Sequence, residues 1–132
     1  MKKKIILGVL VTIILGATSV VWAEEQERYR VVDLHPTSSL IAPVVSTNDT
    51  QEIFITVRDQ NLNPVSGAAS MVTIQLPNGD QSILMPLTDE NGVSKLKLSI
   101  NNQTPGAIVS LEYRVVYGDL QATTRDSFRI WW

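Results

Sequence analysis

Asp59-Gln-Asn61-Leu-Asn63 places three oxygen-bearing side chains at alternate positions, as the first half of a calcium loop does when it gathers ligands around one cation. The second half departs from that pattern. Pro64 stands at the sixth position, where the loop needs glycine, and Ser70 at the twelfth, where it needs a bidentate glutamate. The segment is therefore read as a turn between strands, and neither a metal nor another cofactor is expected. His35 is the single histidine. A general base needs a nucleophile held against it, and Ser38 and Ser39 are the nearest hydroxyls in sequence, which is weak ground for a catalytic pair. No Gly-x-Ser-x-Gly elbow or phosphate-cradling glycine loop occurs, so no catalytic residue is assigned and the chain is read as a non-enzyme. The chemistry that remains is that of contact. Strand alternation through Trp131-Trp132 turns Trp132 inward and Trp131 outward, where a large aromatic ring can stack on a sugar or anchor a protein contact.

Composition narrows the partners. The chain has 132 residues, 44% of them apolar, no cysteine and a net charge of −2. From Glu24 onward eight Lys and Arg face thirteen Asp and Glu, a net charge of −5. No basic patch is visible in the sequence, and binding to nucleic acid, which requires clustered cations to displace counterions from phosphates, is not expected. Without cysteine there is no disulfide framework, thiolate zinc site or cysteine nucleophile, and one histidine excludes a multi-histidine metal cage.

Residues 1–23 read as an address. Lys2, Lys3 and Lys4 precede an apolar run from Ile5 to Leu15, small residues follow, and Val21-Trp22-Ala23 stands before Glu24-Glu25. This is the pattern of a secretory signal peptide cleaved after Ala23. The alternative is an uncleaved anchor, since Ile5 to Ala23 is 19 uncharged residues and about 20 span a bilayer; only then is a membrane a partner. Either way the lysines stay inside and the acidic part is exported, to the periplasm or the cell surface.

The elements that would position any site are strands. Gly67, Gly79, Gly92, Gly106 and Gly118 fall 12, 13, 14 and 12 residues apart, each beside Asn, Asp, Ser or Pro. Pro77-Asn78-Gly79-Asp80 and Glu90-Asn91-Gly92 carry hairpin signals. Between the turns apolar residues alternate with period two: Ile53, Ile55, Val57; Val72, Ile74, Leu76; Val93, Leu96, Leu98, Ile100; Val109, Leu111, Tyr113, Val115, Tyr117; and Phe128, Ile130, Trp132. The fourth set is the longest and is assigned to a central strand. Further strands are expected at Tyr29–Val32, continuing around Leu40–Val45, and at Ser82–Pro86. Residues 24–50 are a polar arm or an edge strand broken by Pro43, and 51–132 form the body. Seven or eight antiparallel strands, each with one apolar face, are best closed by packing two sheets, so the expected fold is all-β, a single immunoglobulin-like β-sandwich.

Val57-Arg-Asp-Gln-Asn-Leu-Asn-Pro-Val65-Ser-Gly-Ala68, followed by Thr88-Asp-Glu-Asn-Gly-Val93-Ser-Lys-Leu96, resembles the bacterial immunoglobulin-like domain of the invasin and intimin type over about residues 52 to 130. Macroglobulin-like and carboxypeptidase-regulatory sandwiches carry a similar turn pattern. The resemblance implies a sandwich and a place on surface adhesins, where such domains often occur in tandem; this sequence holds one copy. The expected function is that of an exported module that binds or positions a protein or glycan partner at the cell envelope, with Trp131 and Trp132 as contacts. The alternative is a structural subunit of a surface assembly that uses strand addition.

Overall fold

A computed structural model describes residues 30–77, 79–101 and 103–131 of the chain. The chain divides into two units, 1–31 and 32–132, and the sandwich is the second. The signal segment, Tyr29 and Trp132 lie outside the described residues. Eight strands follow in order: β1 His35–Leu40, β2 Val44–Val45, β3 Thr50–Arg58, β4 Ala69–Leu76, β5 Gly79–Leu84, β6 Val93–Ser99, β7 Ile108–Tyr117 and β8 Leu120–Ile130. They form a three-stranded sheet, β1-β3-β6, and a five-stranded sheet, β2-β8-β7-β4-β5. This is an immunoglobulin-like strand order, in which β4–β5 and β7–β8 stay in one sheet and the other sequential strands switch between sheets. Among the described residues no helix is long and apolar enough to cross a membrane.

Alternation explains which side chains fill the space between the sheets. Ile53, Ile55 and Val57 of β3 and Val72 and Ile74 of β4 are buried, as are Val109, Leu111, Tyr113 and Val115 of β7, and Phe128 and Ile130 of β8. Strand β7, with the longest alternation, is the middle strand of the larger sheet, flanked by β4 and β8. A central strand is paired on both edges and covered on one face, which favours a long β-branched and aromatic run. Its Tyr113 hydroxyl is buried and has no hydrogen-bond partner among the described residues. Burial pushes that phenol above its usual range, and the charge of Asp126 adds to the effect.

Several expectations need correction. Residues 30–34 form no strand; the Val32 amide donates to Gln60 Oε1 (3.0 Å), and pairing begins at His35. Strand β2 runs parallel to β8, with Val44 opposite Arg129 and Val45 opposite Ile130. The cause is a change of sheet. After β1, an antiparallel neighbour of β3, the chain passes through Pro43 and enters the other sheet without reversing. Buried Gln51 on β3 stabilises this crossing: its Nε2 donates to Ala42 O, and its Oε1 accepts from the amides of Ala42 (3.3 Å) and Glu52 (3.1 Å). In β6 the inward set starts at Ser94 rather than Val93, since two residues of one strand an odd number apart cannot share a face with Leu96 and Leu98. Tyr117 lies at the β7–β8 turn and is exposed.

The Asn-Gly turns also act differently from one another. Leu76 pairs with Gly79 across a short hairpin, so Gly79 opens β5. Gly92 closes no hairpin: β5 and β6 belong to different sheets, and the turn before Val93 carries the chain across the sandwich.

Candidate functional site

The residues singled out for chemistry mostly serve the fold. Asp59, only 2% exposed, accepts the amides of Asn61 (2.8 Å) and Asn63 (3.0 Å) through Oδ1. Its carboxylate is engaged in shaping its own turn. Thr88 stitches the Val65–Ala68 segment to the chain entering β6: its Oγ1 donates to Val65 O (2.6 Å) and accepts from the Ala68 amide (2.8 Å). Thus the residues that carry the invasin-like resemblance make turns and crossings. Among the described residues no group of three or more acidic, histidine or cysteine side chains is placed to hold a metal.

The His35 combination does not assemble. His35 and Ser39 share one face of β1 but sit four residues apart, about 13 Å along a strand, while Ser38 points to the other face and bonds Arg125 O at 3.4 Å. His35 Nε2 lies 3.1 Å from Asp33 Oδ2 at an exposed position. The Ser94-Lys-Leu-Lys97 spacing would juxtapose serine and lysine on a helix; on β6 it puts them on opposite faces, with Ser94 buried and donating to Pro86 O.

The outer face of the five-stranded sheet is different. Pairing of β4, β5, β7 and β8 sets outward side chains in rows: Ser127, Ser110, Gln75, Asp80; Arg125, Glu112, Thr73, Ser82; and Thr123, Arg114, Met71, Leu84. A shallow groove of about 440 Å³ runs over Gln75, Ser110, Glu112, Arg125 and Ser127. Arg125 Nη2 lies 3.7 Å from Glu112 Oε2, and the arginine side chain is 81% exposed, so solvent screens the pair and it adds little stability. The groove is lined by hydroxyl, amide and charged groups.

At one end of this face Ile108 and Val44 flank Arg129, and Trp131 follows two residues later. Trp131 is 61% exposed and borders a depression of about 330 Å³ with Val44, Ser46 and Asp49. Its amide donates to Val45 O (2.7 Å), which ties the chain end to β2. The outward turn expected of Trp131 is what the structure has. Sequence reasoning missed Arg114, Arg125 and Arg129, which are scattered along the chain and become one face only through β7–β8 pairing. Their signal was parity: each occupies a position out of phase with the buried residues of its strand.

No protein-family model and no curated protein matches this chain. Among solved structures, a DUF4426 family protein from Pseudomonas aeruginosa superposes with TM-score 0.51 at 13% identity, covering 78% of this chain and 94% of that one. Spo0M, a sporulation control protein from Bacillus subtilis, gives TM-score 0.49 at 6% identity, covering 76% of this chain and 50% of its own, so the present chain spans half of it. The first likeness supports a small all-β sandwich and goes no further.

Proposed function

We propose that this chain is an exported, non-enzymatic immunoglobulin-like module of the invasin and intimin type that binds or positions a protein or glycan partner at the cell envelope. The contact lies on the outer face of the five-stranded sheet and its tryptophan end. The observation that carries this reading is Trp131, a large aromatic ring exposed beside Val44, Ser46 and Asp49, four residues beyond Ser127 of the polar groove. Exposed aromatics are costly to leave in water and dominate binding hot spots when a partner covers them. The signal-like segment and the turn pattern support the envelope location and the family.

A photo-crosslinking residue introduced at Thr123 on the outer five-stranded face tests this on intact cells, with Lys95 on the outer three-stranded face as the control. A discrete adduct from position 123, absent from position 95 and lost in Trp131→Ala, is expected. Equal labelling from both positions, or no adduct from either, overturns the reading.

The second reading, a subunit assembled by strand addition, is favoured by β5, an edge strand with five of its six residues exposed. Strands β1, β2 and β6 are also sheet edges, and β5 is the most exposed of the four. A native mass of several copies that falls to one copy when Gln81 is replaced by proline is its expected mark.

A further inference from the structure

We infer that the ligand of the outer five-stranded face is an acidic glycan, an extended sugar polymer bearing carboxylates, held by Arg114, Arg125 and Arg129 with Trp131 as a stacking platform at one end. This rests on the binding-module reading above and adds the charge class of the partner.

The chain from Glu24 onward has a net charge of −5, so an even spread of charge would repel a polyanion. The cations are not evenly spread. Three of the eight Lys and Arg lie on the outer side of β7 and β8, at positions alternating with the buried residues. The carboxylates on or beside this face are Glu112, engaged by Arg125, Asp80 at the far edge on β5, Asp126, which borders the groove although its strand position alternates with the outward set, and Asp49 beside Trp131. Arg114 and Arg129 have no ion-pair partner among the described residues. An arginine kept unpaired on a sheet face retains its planar fork of donors for an incoming carboxylate, which it can grip through two parallel hydrogen bonds.

The spacing selects a linear partner. Arg114 lies opposite Thr123, two residues before Arg125, and Arg129 is four residues beyond Arg125. With a strand rise of about 3.3 Å per residue, the three guanidinium groups are distributed along about 20 Å of the face. A small ion would meet one of them, whereas an extended chain meets all three. Between them Ser110, Ser127 and Gln75 line the groove, and Thr73 and Ser82 share a hydrogen bond of 3.1 Å. Such groups both donate and accept, as sugar hydroxyls require. Trp131 completes the row with a flat ring for the apolar face of a sugar. Anionic lipid is the competing polyanion, since Met71 and Leu84 are exposed in the row of Arg114, and Val44 and Ile108 flank Arg129; the hydroxyl and amide groups lining the groove at Arg125 favour the sugar polymer.

The test uses the full-length protein purified in mild detergent, with polygalacturonate as the probe, methyl-esterified polygalacturonate as its uncharged counterpart, and phosphatidylglycerol vesicles as the lipid polyanion. Binding to polygalacturonate that exceeds binding to the ester at least tenfold and weakens with salt is expected. Arg114→Gln/Arg129→Gln should lower that affinity tenfold or more, and Glu112→Gln should raise it severalfold. Lys95→Gln/Lys97→Gln, the same change of charge on the other sheet, should leave it unaltered, as should the thermal midpoint in all variants. Equal affinity for polymer and ester overturns the charge assignment while leaving the binding-module reading in place. Equal loss from the arginine and lysine pairs overturns the face assignment, preference for vesicles overturns the glycan, and no binding to any probe overturns the inference outright. The binding-module reading stands or falls separately, on crosslinking from position 123.

Discussion

Two loops at the same end of the sandwich, Asp59–Asn63 and Asp89–Val93, have the same geometry and different tolerances. In each, the amide of the first residue donates to the carbonyl of the fifth: Asp59 to Asn63 O at 2.9 Å, Asp89 to Val93 O at 3.0 Å. In each the fourth amide returns to the first carbonyl, Leu62 at 3.0 Å and Gly92 at 2.9 Å. The aspartate Oδ1 accepts the third and fifth amides in both, at 2.8 and 3.0 Å in the first loop and 2.9 and 3.0 Å in the second. The fourth residue has positive φ in both, 63° at Leu62 and 73° at Gly92. What differs is the surroundings. Leu62 is 65% exposed, whereas a Cβ on Gly92 would meet Val57 O at 2.5 Å. The same backbone strain is thus tolerated where solvent surrounds the side chain and requires glycine where a neighbouring strand passes. The lesson for function is that an aspartate and alternate asparagines, a cation-binding signature on paper, form a turn that recurs at Asp89–Val93, where valine replaces the third oxygen-bearing residue.

The largest expected effect breaks the second loop: Gly92→Ala combines the left-handed penalty with a backbone clash and should cost about 3 kcal/mol, read as a fall in the thermal midpoint. Asp59→Ala should follow at about 2 kcal/mol, since it removes a buried acceptor from two part-buried amide hydrogen bonds. Asp89→Ala, with the same hydrogen bonds at an exposed site, is expected to cost about 1 kcal/mol because water replaces the lost acceptor; a loss equal to that of Asp59→Ala would show that burial does not set the difference. Leu62→Gly should stabilise, by about 0.5 kcal/mol, as relief of strain outweighs the added freedom of the unfolded chain. Smallest of all is the response to calcium: millimolar calcium or a chelator should leave the midpoint where it is, whereas a rise on adding calcium would restore the metal reading of Asp59.

Legibility from sequence followed the range of the interaction involved. Alternation in β3, β4 and β7 was readable because each strand buries one face, and the pattern of 109, 111, 113 and 115 identified the middle strand. Val93 was misassigned because the crossing turn before it hides where the phase of β6 begins. The parallel β2–β8 pair left no local mark beyond Pro43, since the crossing depends on Gln51, which is distant from β8 in sequence. For the candidate site, Trp131 was readable by parity at the end of β8. The arginine row was not, because Arg114 and Arg125 become neighbours only when the β7–β8 hairpin sets the register.

The sequence by itself determined an all-β chain, the lengths of most strands, the outward placement of Trp131 and the lack of a disulfide or multi-histidine site, because these depend on residue type and on a period of two. Tertiary structure alone decided which strands share a sheet, which turns cross the sandwich, and which polar residues meet on one surface. Those outcomes depend on contacts between segments far apart in the chain, and local patterning carries no information about which partner a strand edge will find.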